Sequence, residues 1–318
     1  MDEEMLVKII QLKTKNGNLD NISRTRLYES FYFQHPEIKW ALLAGFVSRN
    51  AGWSMCDLKG DVFSKILSRT YADRLFLTYE RANWLIFQDA FPQLLVYHYS
   101  TIFGQPMFHL LEKFHVSSFM RREWNTFWHR KDGDRLMTAL IINEQNVIQQ
   151  PVITHPLFRK NVFQSLPYIG QDFLHYSIVI FPTLQGELYG ATVKKFVKVG
   201  ERIELGKTLA EILFRPELHS LFLDFIRKTP HTGSRNDYEQ YFSTRPRRTT
   251  PYLRIAYPLV HHTELMETTW DEREKINLDW FDSPKRKKPV QITNWYKRKR
   301  KEMEMMASFQ QWFHSHFF

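Results

Sequence analysis

Three short polar groups interrupt segments that are otherwise apolar on nearly every side. Ser48-Arg49-Asn50 closes the run WALLAGFV. Glu80-Arg81-x-Asn83 opens a run that continues WLIFQDAF and carries Asp89. Asn143-Glu144-Gln145-Asn146 follows MTALII. Carboxylate, guanidinium and amide in this mixture can seat a small polar ligand, with Glu80 or Glu144 as acid or base. The same residues can also hold one another. A helix apolar on all faces is expected to be buried, and a charge inside it must be paired. The expectation is one buried network in which Arg49 and Arg81 meet Glu80, Asp89 or Glu144. Asn50, Asn83, Asn143 and Asn146 complete this candidate polar pocket.

A fourth group is Thr232-Gly233-Ser234-Arg235-x-Asp237-Tyr238-Glu239. Gly233 permits a tight turn, Ser234 can cap a helix, and Arg235 can fork onto a carboxylate or phosphate. Ser234 and Arg235 are therefore a candidate anion site. Metal chemistry finds no support. His35, Glu37, His155, His175 and His219 are scattered, and none makes the His-x3-His or Glu-x-x-His spacing of a helical metal site. His35 and His155 each precede a proline and suit helix starts, and His261-His262 reads as an exposed pair. No cofactor is expected: nucleotide loops and the nucleophile elbow have no match. The Gly-Lys-Thr at 206–208 lacks the first glycine of a phosphate loop. Residues 197–212 locally resemble the hairpin of a lipoyl or biotinyl carrier domain, but without the turn that would carry the modified lysine. The lone Cys56 excludes an internal disulfide framework and has no evident base beside it.

The charge of +10 is unevenly placed. Residues 284–318 hold nine Lys or Arg (Lys285, Arg286, Lys287, Lys288, Lys297, Arg298, Lys299, Arg300 and Lys301) against Glu302 and Glu304, which leaves the preceding 283 residues with a net of only +3. Trp295 lies between the two basic clusters. Ile292, Tyr296, Met303, Met306 and Phe313 fall on one helical stripe, which Met305, Phe309 and Trp312 would widen. Such a tail suits an anionic membrane surface or nucleic-acid phosphates, unless the stripe docks on the body; an unidentified protein partner is also open.

These groups need elements to position them. The chain is 318 residues long with 43% hydrophobic and 15% aromatic residues, which excludes a wholly disordered chain. Twelve glycines against 26 phenylalanines argue against a turn-rich all-β protein. The patterning predicts a mainly α protein: a single multi-helix globular domain, with at most a small irregular or β element around 175–206, plus a basic C-terminal helix. Residues 1–20 read as loosely ordered, 21–283 as the helical body, and 284–318 as a basic linker and amphipathic helix. Helices are predicted over 23–34 with Ser23 as cap, 36–49 with Pro36 in its first turn and Asn50-Ala51-Gly52 as its end, and 61–68. A long one follows over 72–99, kinked or broken at Pro92, then others at 106–114, 117–128, 133–149, 207–227 and 292–313. The start MDEEMLVKII lacks an apolar core, so no signal peptide is expected, and no run reaches the ~18 apolar residues of a membrane span. Together these predict a cytoplasmic protein, peripheral at a membrane if the tail binds one.

Four segments in this order, NISRTRLYESFYFQHPEIKWALLAGFVSRNAGWSM, ERANWLIFQDAFPQLLVY, NEQNVIQQPVITHP and TGSRNDYEQY, resemble the YppC-like proteins of spore-forming Gram-positive bacteria. The similarity runs from about residue 21 to about residue 280. It implies a bacterial cytoplasmic protein and, since that family is a domain of unknown function, no activity and no catalytic residue. The residues themselves favour a non-enzymatic interaction protein that uses its tail; an enzyme or small-ligand binder built on the polar groups is the alternative, and a nucleic-acid binder the third.

Overall fold

The computed structural model describes residues 2–163, 178–192, 196–244, 246–263, 269–272, 276–285 and 291–317. It is mainly helical. Helix α1 (Glu3–Gly17) replaces the expected loose N-terminus: the Asp2 side chain accepts from the Glu4 amide, Glu3 and Glu4 suit the positive end of the helix dipole, and Leu6, Ile10 and Thr14 are buried one turn apart. Helix α2 (Asn21–Gln34) is capped by Asp20, which accepts from the Ser23 amide; Ser23 itself is inside the helix.

Helix α3 (Lys39–Asp57) starts after Pro36 and passes straight through Asn50-Ala51-Gly52. That correction has a steric reason. A Cβ on Gly52 would lie 2.4 Å from Asn21 Oδ1 and 2.7 Å from His231 Nε2. The glycine admits two neighbouring side chains rather than ending a helix. A single short turn, α4 (Phe63–Ile66), precedes α5 (Arg69–Phe103), a helix of 35 residues that continues through Pro92 and ends at Gly104 in the left-handed region. A 3-10 turn (Phe108–Phe114) leads into α6 (Ser118–Arg130) and α7 (Gly133–Val147), capped by Ser117 and Asp132.

Strands β1 (Ile178–Pro182) and β2 (Leu188–Thr192) form a two-stranded antiparallel hairpin with Ile180 opposite Gly190. This resolves the expected element around 175–206, although 175–177, with His175, lie outside the described residues. The segment that resembles a carrier hairpin is instead the helix Val199–Leu213. Its Gly206 lets it cross α7 closely, since a Cβ there would sit 2.6 Å from Ile141 Cγ2. Pro216 begins a separate helix, Pro216–Lys228. The last element is the helix Thr293–Phe317.

The helices enclose two apolar clusters. The larger joins Trp40, Phe46, Phe87, Trp124, Ile141 and Phe225. The smaller joins Met55, Phe63, Leu85 and Leu253 with Met303 and Ala307 of the C-terminal helix. No helix among the described residues is long and apolar enough to cross a membrane.

Candidate functional site

The polar groups are buried, but they do not form one network. Arg49 is forked onto Glu29 of α2, with Nε 2.5 Å and Nη2 3.0 Å from the carboxylate oxygens, and donates to the Thr229 carbonyl. Asn50 serves the sheet: its amide donates to the Ile180 carbonyl and accepts from the Ile180 N–H, both at 2.8 Å, so it caps the edge of β1. Glu80 pairs with Arg24 of α2, whose Nη2 is 2.6 Å from both oxygens. Arg81 points elsewhere, donating to the Thr263 carbonyl and lying over the Trp84 ring. Asn83 bonds back to the Tyr79 carbonyl, and Asn146 to the Ile142 carbonyl.

Asp89 and Asn143 do meet. Asp89 Oδ2 accepts from Asn143 at 2.5 Å and from Gln93 at 2.7 Å; Asn143 Oδ1 accepts from Ser117 and Trp270, and Gln93 from Trp124. Among the described residues no cation joins them, and burial pushes the Asp89 carboxyl up to about 7 against the lowering effect of its two amide donors. Glu144 is separate. It accepts from Trp40 and Gln145, and burial pushes it to about 7 as well. The expectation of a single Arg49–Arg81–Glu80–Asp89–Glu144 network is thus corrected to several local ones. Helices α2 and Val199–Leu213 supply the missing partners, Arg24, Glu29 and Arg202, the last donating to Gln145 and Gln149.

Three residues of α2 that sequence reasoning passed over hold this region: Asn21, Arg24 and Thr25, with Tyr28 one turn on, are all buried. Their i, i+3, i+4, i+7 spacing is that of an inward helix face. The signal was present, but in polar residues, so it reads as a solvent face. Asn21 donates to Ser48 and meets His231, which lies 3.4 Å from Asp237.

Arg235 is not an open anion site. It is buried, 2.8 Å from Asp57 and 3.7 Å from Glu239, so its own chain supplies the carboxylates. Ser234 Oγ bonds Thr250 and accepts from the Asn236 amide. Burial outweighs the Arg235 charge and pushes Asp57 to about 6. The nearby Cys56 is buried, and its thiol is pushed far up by burial. His262, expected to be exposed, is half-buried, with its side chain turned in and Nε2 3.7 Å from Glu80 Oε1. His35 bonds His98 at 2.9 Å and lies beside Glu37. No group of three or more His, Cys, Asp or Glu among the described residues is placed to hold a metal.

The C-terminal helix completes the Arg235 cluster. Arg300 donates to Glu239 and to Glu304, and Tyr296 Oη donates to Glu239 at 3.1 Å and bonds Tyr238 at 2.9 Å. Ahead of the helix, the Ile292 amide donates to the Leu188 carbonyl. Tyr296, Met303 and Ala307 are buried. With 3.6 residues per turn, Arg298, Lys301, Met305, Phe309 and Trp312 lie on the opposite side. Met305, Phe309 and Trp312 are 65%, 66% and 50% exposed, and Arg298 is exposed too. The expected single widened stripe is therefore two stripes back to back. Lys297 lies over the Phe242 ring, Lys299 pairs with Glu302, Trp295 packs against the core, and Lys285 is exposed. Arg286, Lys287, Lys288 lie outside the described residues, and the side chain of Phe313 is likewise not described.

Two open depressions border these groups. A broad one of about 800 Å³ is lined by Lys39, Asp134, Arg135, Lys207 and Glu211, charges of both signs. Lys39 pairs with Asp134, and Arg135 with Glu123. A cleft of about 410 Å³ reaches Glu80.

These features define a mainly helical protein in which Arg24, Arg49, Glu80 and Arg235 are held by local ion pairs and Asp89 by amide donors. The chain belongs to the family described as "Protein of unknown function (DUF2515)", whose model matches residues 16–297. It is 50% identical over 308 residues to the "Uncharacterized protein YppC" of Bacillus subtilis (strain 168), with 96% of each chain covered. No solved structure matches it.

Proposed function

We propose that this protein is a non-enzymatic interaction protein of the bacterial cytoplasm, which touches an anionic membrane surface through the outward stripe of its C-terminal helix. The carrying observation is the exposure of Met305, Phe309 and Trp312 directly opposite the docked residues Tyr296, Met303 and Ala307. Arg298 and Lys301 continue that stripe toward the body. A helix lying in the headgroup region needs this combination: apolar and aromatic side chains to enter the acyl boundary, and cations beside anionic lipid. Internal pairing of the polar groups supports the non-enzymatic reading, because Arg49, Glu80 and Arg235 each already hold a partner.

The test is co-sedimentation of the full chain with phosphatidylglycerol vesicles and with phosphatidylcholine vesicles, at low and high salt. Binding to the anionic vesicles alone, weakened by salt and lost in Met305→Ser/Phe309→Ser/Trp312→Ser, supports the proposal. Equal binding by that variant would defeat it, as would salt-dependent binding to single-stranded DNA in place of vesicles.

A further inference from the structure

The cleft beside Glu80 lies between the α1–α2 corner, the first half of α5 and residues 253–260, and its volume of about 410 Å³ suits a small organic molecule. Its walls are largely apolar. Leu19 and Leu259, both about half exposed, stand at the opening, while Phe76 and Tyr257 stack with ring centroids 3.7 Å apart to form one side.

Its polar groups are few and already fixed. Both Glu80 oxygens are held by Arg24 Nη2 at 2.6 Å, and Arg24 Nη1 is held by Asn18 Oδ1 at 3.0 Å. Arg254 is anchored by Asp20 at 2.7 Å and by Ser23. Next to Glu80 Oε1, at 3.7 Å, lies the buried His262 Nε2, which makes no hydrogen bond among the described residues. That separation is too long for a hydrogen bond, and of the two only Glu80 lines the cleft.

We propose that this cleft binds a small amphipathic amine, with its apolar body between Leu259 and the Phe76–Tyr257 wall and its ammonium group at Glu80. Each carboxylate oxygen offers two lone-pair sites, and Arg24 engages one on each, so Glu80 can accept further N–H groups. An ammonium carries three donors, enough to meet a lone pair that Arg24 leaves on Glu80. A carboxylate ligand would face both Glu80 and Asp20. A purely apolar ligand would cover the Glu80 carboxylate without giving it a donor, which is unfavourable. The site is independent of the C-terminal helix and of the membrane reading.

The test is calorimetric titration of the full chain with phenethylamine, phenylpropionate and phenethyl alcohol, three probes of similar shape and different charge. The amine is expected to bind at least about tenfold tighter than the acid or the alcohol, the ratio that ~1.4 kcal/mol gives. Leu259→Trp fills the opening from a half-exposed position and should abolish amine binding while the thermal transition is kept. Glu80→Gln keeps an oxygen for Arg24 and should weaken the amine about tenfold without affecting the alcohol. No amine binding in the wild type, equal binding of all three probes, or unchanged amine binding in Leu259→Trp would each overturn the proposal.

Discussion

Asn21 Oδ1 and His231 Nε2 meet at 2.7 Å directly over Gly52, a contact that joins α2 to the turn before Asn236 across the back of α3. Asn21 also donates to the Ser48 carbonyl, so three elements are tied at one side chain. Gly52→Ala should therefore destabilise. In an open helix, Gly to Ala gains ~0.5–1 kcal/mol; here the new Cβ displaces a buried hydrogen bond, and a net loss of about 2 kcal/mol is expected. Urea unfolding with an unchanged slope checks it, and a more stable variant would show that the contact yields easily.

Asp89 sets a pH dependence. Its folded value of about 7 lies above the ordinary 3.8, so the folded state holds a proton that the unfolded chain releases between those values. Its contribution is fully present below about 4 and is lost as pH rises through 7. Glu144, also raised to about 7, acts in the same direction. Asp89→Asn keeps an oxygen for Gln93 and Asn143, so its stability should fall less between pH 5 and 8. The difference at pH 8 should be on the order of 1–3 kcal/mol in favour of the variant. Parallel denaturation curves across that range would remove Asp89 from the explanation.

The Arg300–Glu239 contact makes the near half of the C-terminal helix part of the fold. Arg300→Met leaves Glu239, 5% exposed, beside Asp57 with Arg235 as the remaining buried cation, and should cost ~3–5 kcal/mol. Adding Glu239→Gln removes the stranded charge and should restore part of that. A double-mutant cycle without coupling would mean the pair is not the clamp.

Deleting residues 284–318 strips Tyr296, Met303 and Ala307 from the interior and uncovers Phe63 beneath them. That deletion should lower the thermal midpoint sharply. Changing Met305, Phe309 and Trp312 to Ser should leave it within about 2 °C, because surface substitutions stay near ±0.5 kcal/mol. Equal losses from the two variants would place the outward stripe inside the fold.

The chain's local chemistry carried some features into the structure unaided. Apolar runs at helical spacing marked α3, α5 and α7, and the charge counts placed most of the net charge in residues 284–318. Ends were less legible. Gly52 has the composition of a stop signal and acts as a crossing point, a distinction made by His231, 179 positions further on. Partners were least legible. Arg49 and Glu80 announced that buried charges existed, since an apolar helix cannot leave them unpaired. Which residues pair with them depends on how α2 lies across α3 and α5, and α2 displays its inward face in polar residues. The tail repeats the point. Periodicity alone put Met303, Met305 and Trp312 on a helix, but only the position of Glu239 and Tyr238 decided which side turns inward. A long-range ion pair has no sequence spacing, because it is set by the distance between elements that the whole core brings together.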